Sequence, residues 1–165
     1  MKKFLTSLQQ CIEAENWPAA LHLALSLPEM AGAVEVPEAA LQQRYVAWFN
    51  DWVGSKCRTQ LLVGQQTFLS GADCYNLRRA ALSQGHEAAE GSRQYITSVL
   101  HRFNFTLNAK DHRTLKGHSL QLHVGTFCRD LMESCETWLA SAERDPGKAE
   151  ILERNLKIGG RLYVS

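Results

Sequence analysis

The five cysteines, at positions 11, 57, 74, 128 and 135, are odd in number and form no C-x-x-C pair. A disulfide scaffold is therefore not expected, and a reducing compartment is the simpler setting. Charge of one sign is not in excess either. Eighteen basic and 17 acidic residues leave a formal net charge of +1. Such a balance does not advertise a nucleic-acid partner through overall charge, although it leaves room for a local patch. Long hydrophobic runs are missing too. The most apolar stretch, Ala19 to Leu27, is interrupted by His22 and Ser26 and is far too short to span a bilayer. Met1-Lys2-Lys3-Phe4-Leu5 begins like a signal peptide, but Thr6, Ser7, Gln9 and Gln10 break the apolar run that export requires. The expected location is the cytoplasm, with no membrane partner.

Several chemical signatures are also lacking. There is no G-x-S-x-G elbow, and no Walker loop, since Gly54-Ser55-Lys56 has no first glycine at the required distance. His101, His112, His118 and His123 fall close together, yet only His118 and His123 approach a zinc-ligand spacing. Solvated loop histidines are the expected reading, with no metal and no cofactor. Asp111-His112-Arg113 is open to two readings, a phosphate contact or a solvated loop.

What is present is an ordinary globular composition, 45% hydrophobic and 21% charged, in a chain of 165 residues. That length favours one domain over 1–165 with a proper core, and 145–165 reads as a peripheral C-terminal extension. Phe4, Leu8, Cys11 and Ile12 predict a first helix ending near Glu15. Asn16 caps a second helix with Pro18 in its first turn, and Pro28 is expected to close it. Gly32 and Pro37 bracket a loop, and Pro37 opens a third helix carrying Leu41, Tyr45, Trp48, Phe49 and Trp52. An aromatic stripe at this spacing faces other helices more often than it stacks bases.

A short helix or turn is expected around Arg58 to Val63, then a helix over Gly71–Gly85 with Ser70 or Asp73 near its N-cap. After a polar loop over 85–92 and a helical turn at 95–100, a strand at 102–106 and a second at 120–124 read as a hairpin. His123 then shares a face with Gln121, the expected wet one. The period returns to 3.6 from Thr126, with Phe127, Leu131, Cys135, Trp138 and Leu139 on one stripe until Asp145-Pro146-Gly147. A short helix over 149–154 and an exposed tail follow. The fold class is mainly α, a helical bundle with a small inserted β-hairpin over about 102–124.

The helix over 71–85 holds the candidate chemistry. On a helical wheel Leu77, Ala81, Cys74, Arg78, Leu82 and Tyr75 fall along one arc, so Arg78 points into an apolar face. A guanidinium cannot be deprotonated, and burying one requires a partner or a bound ligand. Asp73, Glu133 and Asp130 are the expected ion-pair partners, and a phosphate ligand is the alternative.

An arginine separated from a histidine by four to six intervening residues at a helix end resembles the metal-independent ribonucleases of the HEPN superfamily (higher eukaryote and prokaryote nucleotide-binding helical bundles). Arg79 and His86 satisfy that spacing. The run from Phe68 to Gly85 more closely resembles a family of small, uncharacterised bacterial proteins with the pattern F-L-S-G-x-D-x-Y-x-L-R-x-A-x-L-H-x-G. Arg44 to Asn50, Arg102 to Thr106 and Leu120 to Asp130 extend the likeness, which covers about Trp17 to Trp138. Carried over, Arg78 and Asp73 match the pattern, but Ser83 stands where it has histidine. A serine hydroxyl with no nearby base does not replace an imidazole in moving a proton. The resemblance therefore implies a bacterial or mobile-element protein, degenerate in catalysis and leaning away from enzyme activity. It would bind RNA or a nucleotide through Arg78, Arg79, Asp73 and Ser83, as a homodimer. Two alternatives remain: a protein-interaction module docking through Tyr45, Trp48 and Trp52 or the Tyr163 tail, and a ribonuclease using Arg79 and His86.

Overall fold

The computed structural model describes residues 1–61, 64–83, 98 and 101–154, without the side chains of 59–66 and 83. Helix α1 (Lys2–Glu13) buries Leu5, Leu8 and Ile12, the one-sided spacing of a surface helix. The chain turns at Glu15, which takes a left-handed φ of 53°. Asn16 then accepts the Ala19 N–H at 3.4 Å and caps α2 (Trp17–Glu35).

The expectation that Pro28 closes this helix is overturned, because α2 runs on to Glu35. A proline removes one N–H and crowds the preceding turn. Here the residue four back is the small, buried Ala24, and Pro28 is itself buried, so packing holds the helix through the break. Gly32 is likewise inside the helix rather than in a loop. A Cβ there would lie 2.6 Å from the Arg44 carbonyl oxygen, so glycine is what lets α3 cross so close. Helix α3 (Leu41–Trp52) starts after Ala40, and Pro37 lies in the connecting turn rather than opening it. Tyr45, Trp48 and Phe49 are buried, and Trp48 meets Trp138 edge-on with centroids 6.1 Å apart.

The expected helix or turn near Arg58 is instead a 3-10 turn (Gly54–Cys57) followed by an antiparallel pair, β1 (Arg58–Leu61) and β2 (Gly64–Thr67). These strands are mostly polar and short, so no hydrophobic period marks them. Helix α4 (Gly71–Ser83) follows. Its expected end at Gly85, the 85–92 loop and most of the 95–100 turn lie outside the described residues.

The inserted β-structure has three strands, β3 (Phe103–Thr106), β4 (Thr114–Lys116) and β5 (Ser119–His123), in the order β3-β5-β4. The hairpin is β4–β5, turning at Gly117 with φ 62°, while β3 runs parallel to β5. The wholly exposed β4 carries no alternation to read, so the sequence pairs β3 with β5 correctly but in the wrong direction. Gln121 is also not wet. It is buried, accepts from Asn104 Nδ2 at 2.7 Å and donates to the Ser119 carbonyl at 3.2 Å.

Helix α5 (Val124–Ala142) begins two residues earlier than expected and buries Phe127, Leu131, Cys135, Trp138 and Leu139. Pro146 opens α6 (Pro146–Arg154) rather than merely stopping its predecessor, and Asp145 Oδ1 accepts the Gly147 N–H at 2.9 Å. Helix α2 packs against α1, α3, α4 and α5, and their buried faces merge in one hydrophobic cluster. The protein is mainly α with a small β-insertion. Among the described residues no helix is long and apolar enough to cross a membrane.

Candidate functional site

Helix α4 is fixed at its N-terminus before its arginines are reached. Asp73 Oδ2 accepts the Ser70 N–H at 3.0 Å and the Ser70 hydroxyl at 2.7 Å, and Ser70 Oγ accepts the Asp73 N–H at 3.2 Å. This reciprocal pair satisfies donors that a helix start leaves open. Asp73 Oδ1 also receives Arg102 at 2.9 Å. Gly71 donates to Asn50 Oδ1 at 3.0 Å, and a Cβ there would sit 2.7 Å from the Val46 carbonyl oxygen. The glycine thus lets α4 start directly against α3.

Arg78 is paired with Glu29 of α2, with side chains 16% and 26% exposed. None of the expected partners, Asp73, Glu133 or Asp130, holds it. Asp73 is committed to Ser70 and Arg102, and Lys56 contacts Glu133 at 2.9 Å and Asp130 at 3.8 Å. The Arg78 Nε is buried without a hydrogen-bond partner. Deeper in the same seam, Tyr45 donates to the Leu25 carbonyl at 3.0 Å and lies 3.3 Å from Cys74 Sγ. Burial raises the Tyr45 pKa, so the phenol stays neutral and able to donate. His22 of α2 places Nε2 3.1 Å from the Ala81 carbonyl, a second tie near the end of α4. Glu29 and His22 are the residues that sequence reasoning missed. Glu29 was hidden because it follows Pro28, where the helix was expected to stop.

Arg79 is half-buried and forms no ion pair with a described residue. Ser83 is the last residue of α4, and its side chain lies outside the description, as does all of His86. The structure therefore unites Arg78 and Asp73 on one helix but turns them to different partners. Tyr45 and Trp48 are buried and Trp52 is half-buried, and the Tyr163 tail lies outside the described residues.

Four of the five thiols are buried and unactivated. Burial pushes Cys57, Cys128 and Cys135 up to about 12 and raises Cys74 further, which keeps them protonated. Among the described residues, no group of three or more histidines, cysteines or carboxylates is placed to hold a metal ion.

A second polar concentration lies at the β-insertion. Arg113, at a left-handed φ of 65°, donates to the Lys56 carbonyl at 2.6 Å and stacks 4.8 Å over the Phe68 ring. Its guanidinium reaches Asp130 at 4.0 Å. Burial holds the Asp130 carboxyl above its usual range despite Lys56 and Arg113 beside it. Lys116 contacts Asp111 at 2.7 Å yet remains 59% exposed. Lys110 and Arg129 are exposed, and beside these charges Leu107 and Leu115 are 70% and 71% exposed. Arg113 and Arg102 thus anchor the base of the insertion, while Lys110, Lys116 and Arg129 face solvent.

Comparison with models of protein families, with curated proteins and with solved structures gives no match to this chain.

Proposed function

We propose that this is a non-catalytic RNA-binding protein whose phosphate contacts come from the basic β-insertion, with Arg78 serving to tie helices together. The supporting observation is the concentration of charge. Residues 101–129 hold five arginines and lysines against a single aspartate, leaving 13 basic and 16 acidic residues for the rest of the chain. A near-neutral molecule is thereby polarised, and its positive part includes the exposed strand β4 with its flanks. Phosphate contacts supply most non-specific affinity for nucleic acid and do not require a deep pocket. A free nucleotide is a poorer fit, since small ligands favour enclosing clefts. RNA is preferred over a protein partner because charge dominates the exposed part of the insertion and the aromatic residues of α3 lie largely inside.

The degenerate-site reading rests on Ser83 in place of histidine and on the engagement of Arg78 by Glu29. Both argue against proton transfer and phosphate stabilisation at α4. Binding is tested by fluorescence anisotropy with a labelled single-stranded RNA, in EDTA, across a salt series. Lys110→Glu with Lys116→Glu is expected to weaken binding about tenfold or more and to flatten the salt slope by roughly 0.7 per lost contact. Arg78→Met should leave RNA affinity of the folded protein unchanged. Equal binding by the charge-reversed variant would sink the proposal. Cleavage in EDTA that disappears in His86→Ala would replace it with the Arg79–His86 ribonuclease reading.

A further inference from the structure

We propose that His112 and His123 form a proton-sensitive joint fastening the basic insertion to the first turn of α5. His112 follows the 3-10 turn Ala109–Asp111, and His123 is the last residue of β5 and the N-cap of α5. The His123 backbone N–H donates to His112 Nδ1 at 3.1 Å. The Thr126 backbone N–H donates to His123 Nδ1 at 3.2 Å, and the Thr126 hydroxyl lies 2.8 Å from the same nitrogen. Both rings thus act as acceptors through Nδ1, so each proton must sit on Nε2. An imidazolium at His112 has no lone pair and would set its Nδ1–H against the His123 N–H. Two successive acceptors carry the link from insertion to strand end to helix, and a proton on His112 Nδ1 breaks it at its first contact.

The surroundings disfavour a proton on His112. Beside His112 stand Arg113 and, preceding it, Asp111, whose carboxylate is engaged by Lys116. Asp130 lines the same small cavity as His112, but Lys56 and Arg113 face that carboxylate. Near His123, the Arg129 guanidinium and the Trp17 ring both close on Gly125. Burial first, then Arg113 and His123, hold His112 below the ordinary histidine value. Its Nε2 is also buried without a hydrogen-bond partner. The unfolded chain therefore takes up the proton first. The joint contributes fully above about pH 6.5 and loses that contribution as pH falls toward the lower folded value.

The test is backbone hydrogen exchange at His123 and Thr126 in the full chain at about pH 7.5 and about pH 5.5, corrected for intrinsic rates. Wild-type protection should fall about tenfold, the equivalent of one proton-coupled unit. His112→Asn with His123→Asn keeps an acceptor oxygen near each Nδ1 position without titrating, so its protection should stay within about twofold. Unchanged wild-type protection, or an equal fall in the asparagine variant, overturns the proposal. Should that variant fail to fold, ring-nitrogen NMR of the wild type at neutral pH decides. Nε2–H tautomers on both rings support the joint, and an Nδ1–H proton on either ring refutes it.

Discussion

Arg78 illustrates how a charged side chain in an apolar seam can take a carboxylate from a neighbouring helix as its partner. Its guanidinium takes Glu29 as counter-ion, and the pair sits beside the Tyr45–Cys74 contact between α2, α3 and α4. Breaking such a pair leaves an uncompensated, largely buried charge, whereas replacing both partners with apolar groups is often close to neutral. Arg78→Ala should therefore cost roughly 1–3 kcal/mol in urea denaturation, because Glu29 loses its partner where water has limited access. Arg78→Met combined with Glu29→Leu should recover most of that loss. If the double variant were as unstable as the single, the pair would be more than a counter-ion arrangement. That a buried partner was needed for Arg78 was legible from helical spacing alone. Its identity was not, because sequence offers only nearby or plausibly packed acids, and Glu29 lay beyond an apparent helix stop.

Elements declared by periodic apolar residues were legible: α1, α3 and α5 follow their stripes, and α4 does so for Cys74 and Leu77 but not for Leu82, which is exposed. The failures occur where packing overrides a local signal. Pro28 and Gly32 read as the end of a helix, yet both are buried within α2, and Gly32 is there because the Arg44 backbone crosses against it. Gly32→Ala would normally gain up to about 1 kcal/mol of helix propensity. Here a Cβ 2.6 Å from a backbone oxygen must push α2 and α3 apart, so a net loss of roughly 1–3 kcal/mol is expected in thermal melts. The polar strands β1, β2 and β4 carry no hydrophobic alternation, so nothing in composition announces them. At the start of α4, Asp73→Ala removes the acceptor for Ser70 and should cost about 1 kcal/mol. Arg102→Ala, which removes only an exposed partner of that same aspartate, should cost less than about 1 kcal/mol.

At the scale of the whole molecule, the bundle and the insertion divide the work. The helices supply most of the apolar cluster among the described residues, with Phe103 and Leu122 of the insertion joining it, while the insertion carries the excess positive charge and the most exposed leucines of the described residues. The candidate site was therefore only partly legible. Attention to an unusual arginine led to Arg78, which Glu29 engages, whereas the polar loop over 108–117 reads from sequence as ordinary solvation. The proposed contacts there rest on the exposure of β4 and its basic flanks. RNA held by such a surface should touch the insertion and spare α4. Photo-crosslinking of 4-thiouridine RNA to the full chain, followed by mapping of the modified peptides, tests this most directly. Crosslinks concentrated within 107–118 and around Arg129 are expected. Crosslinks confined to the segment from Arg78 to His86 would contradict the assignment and return the phosphate site to α4.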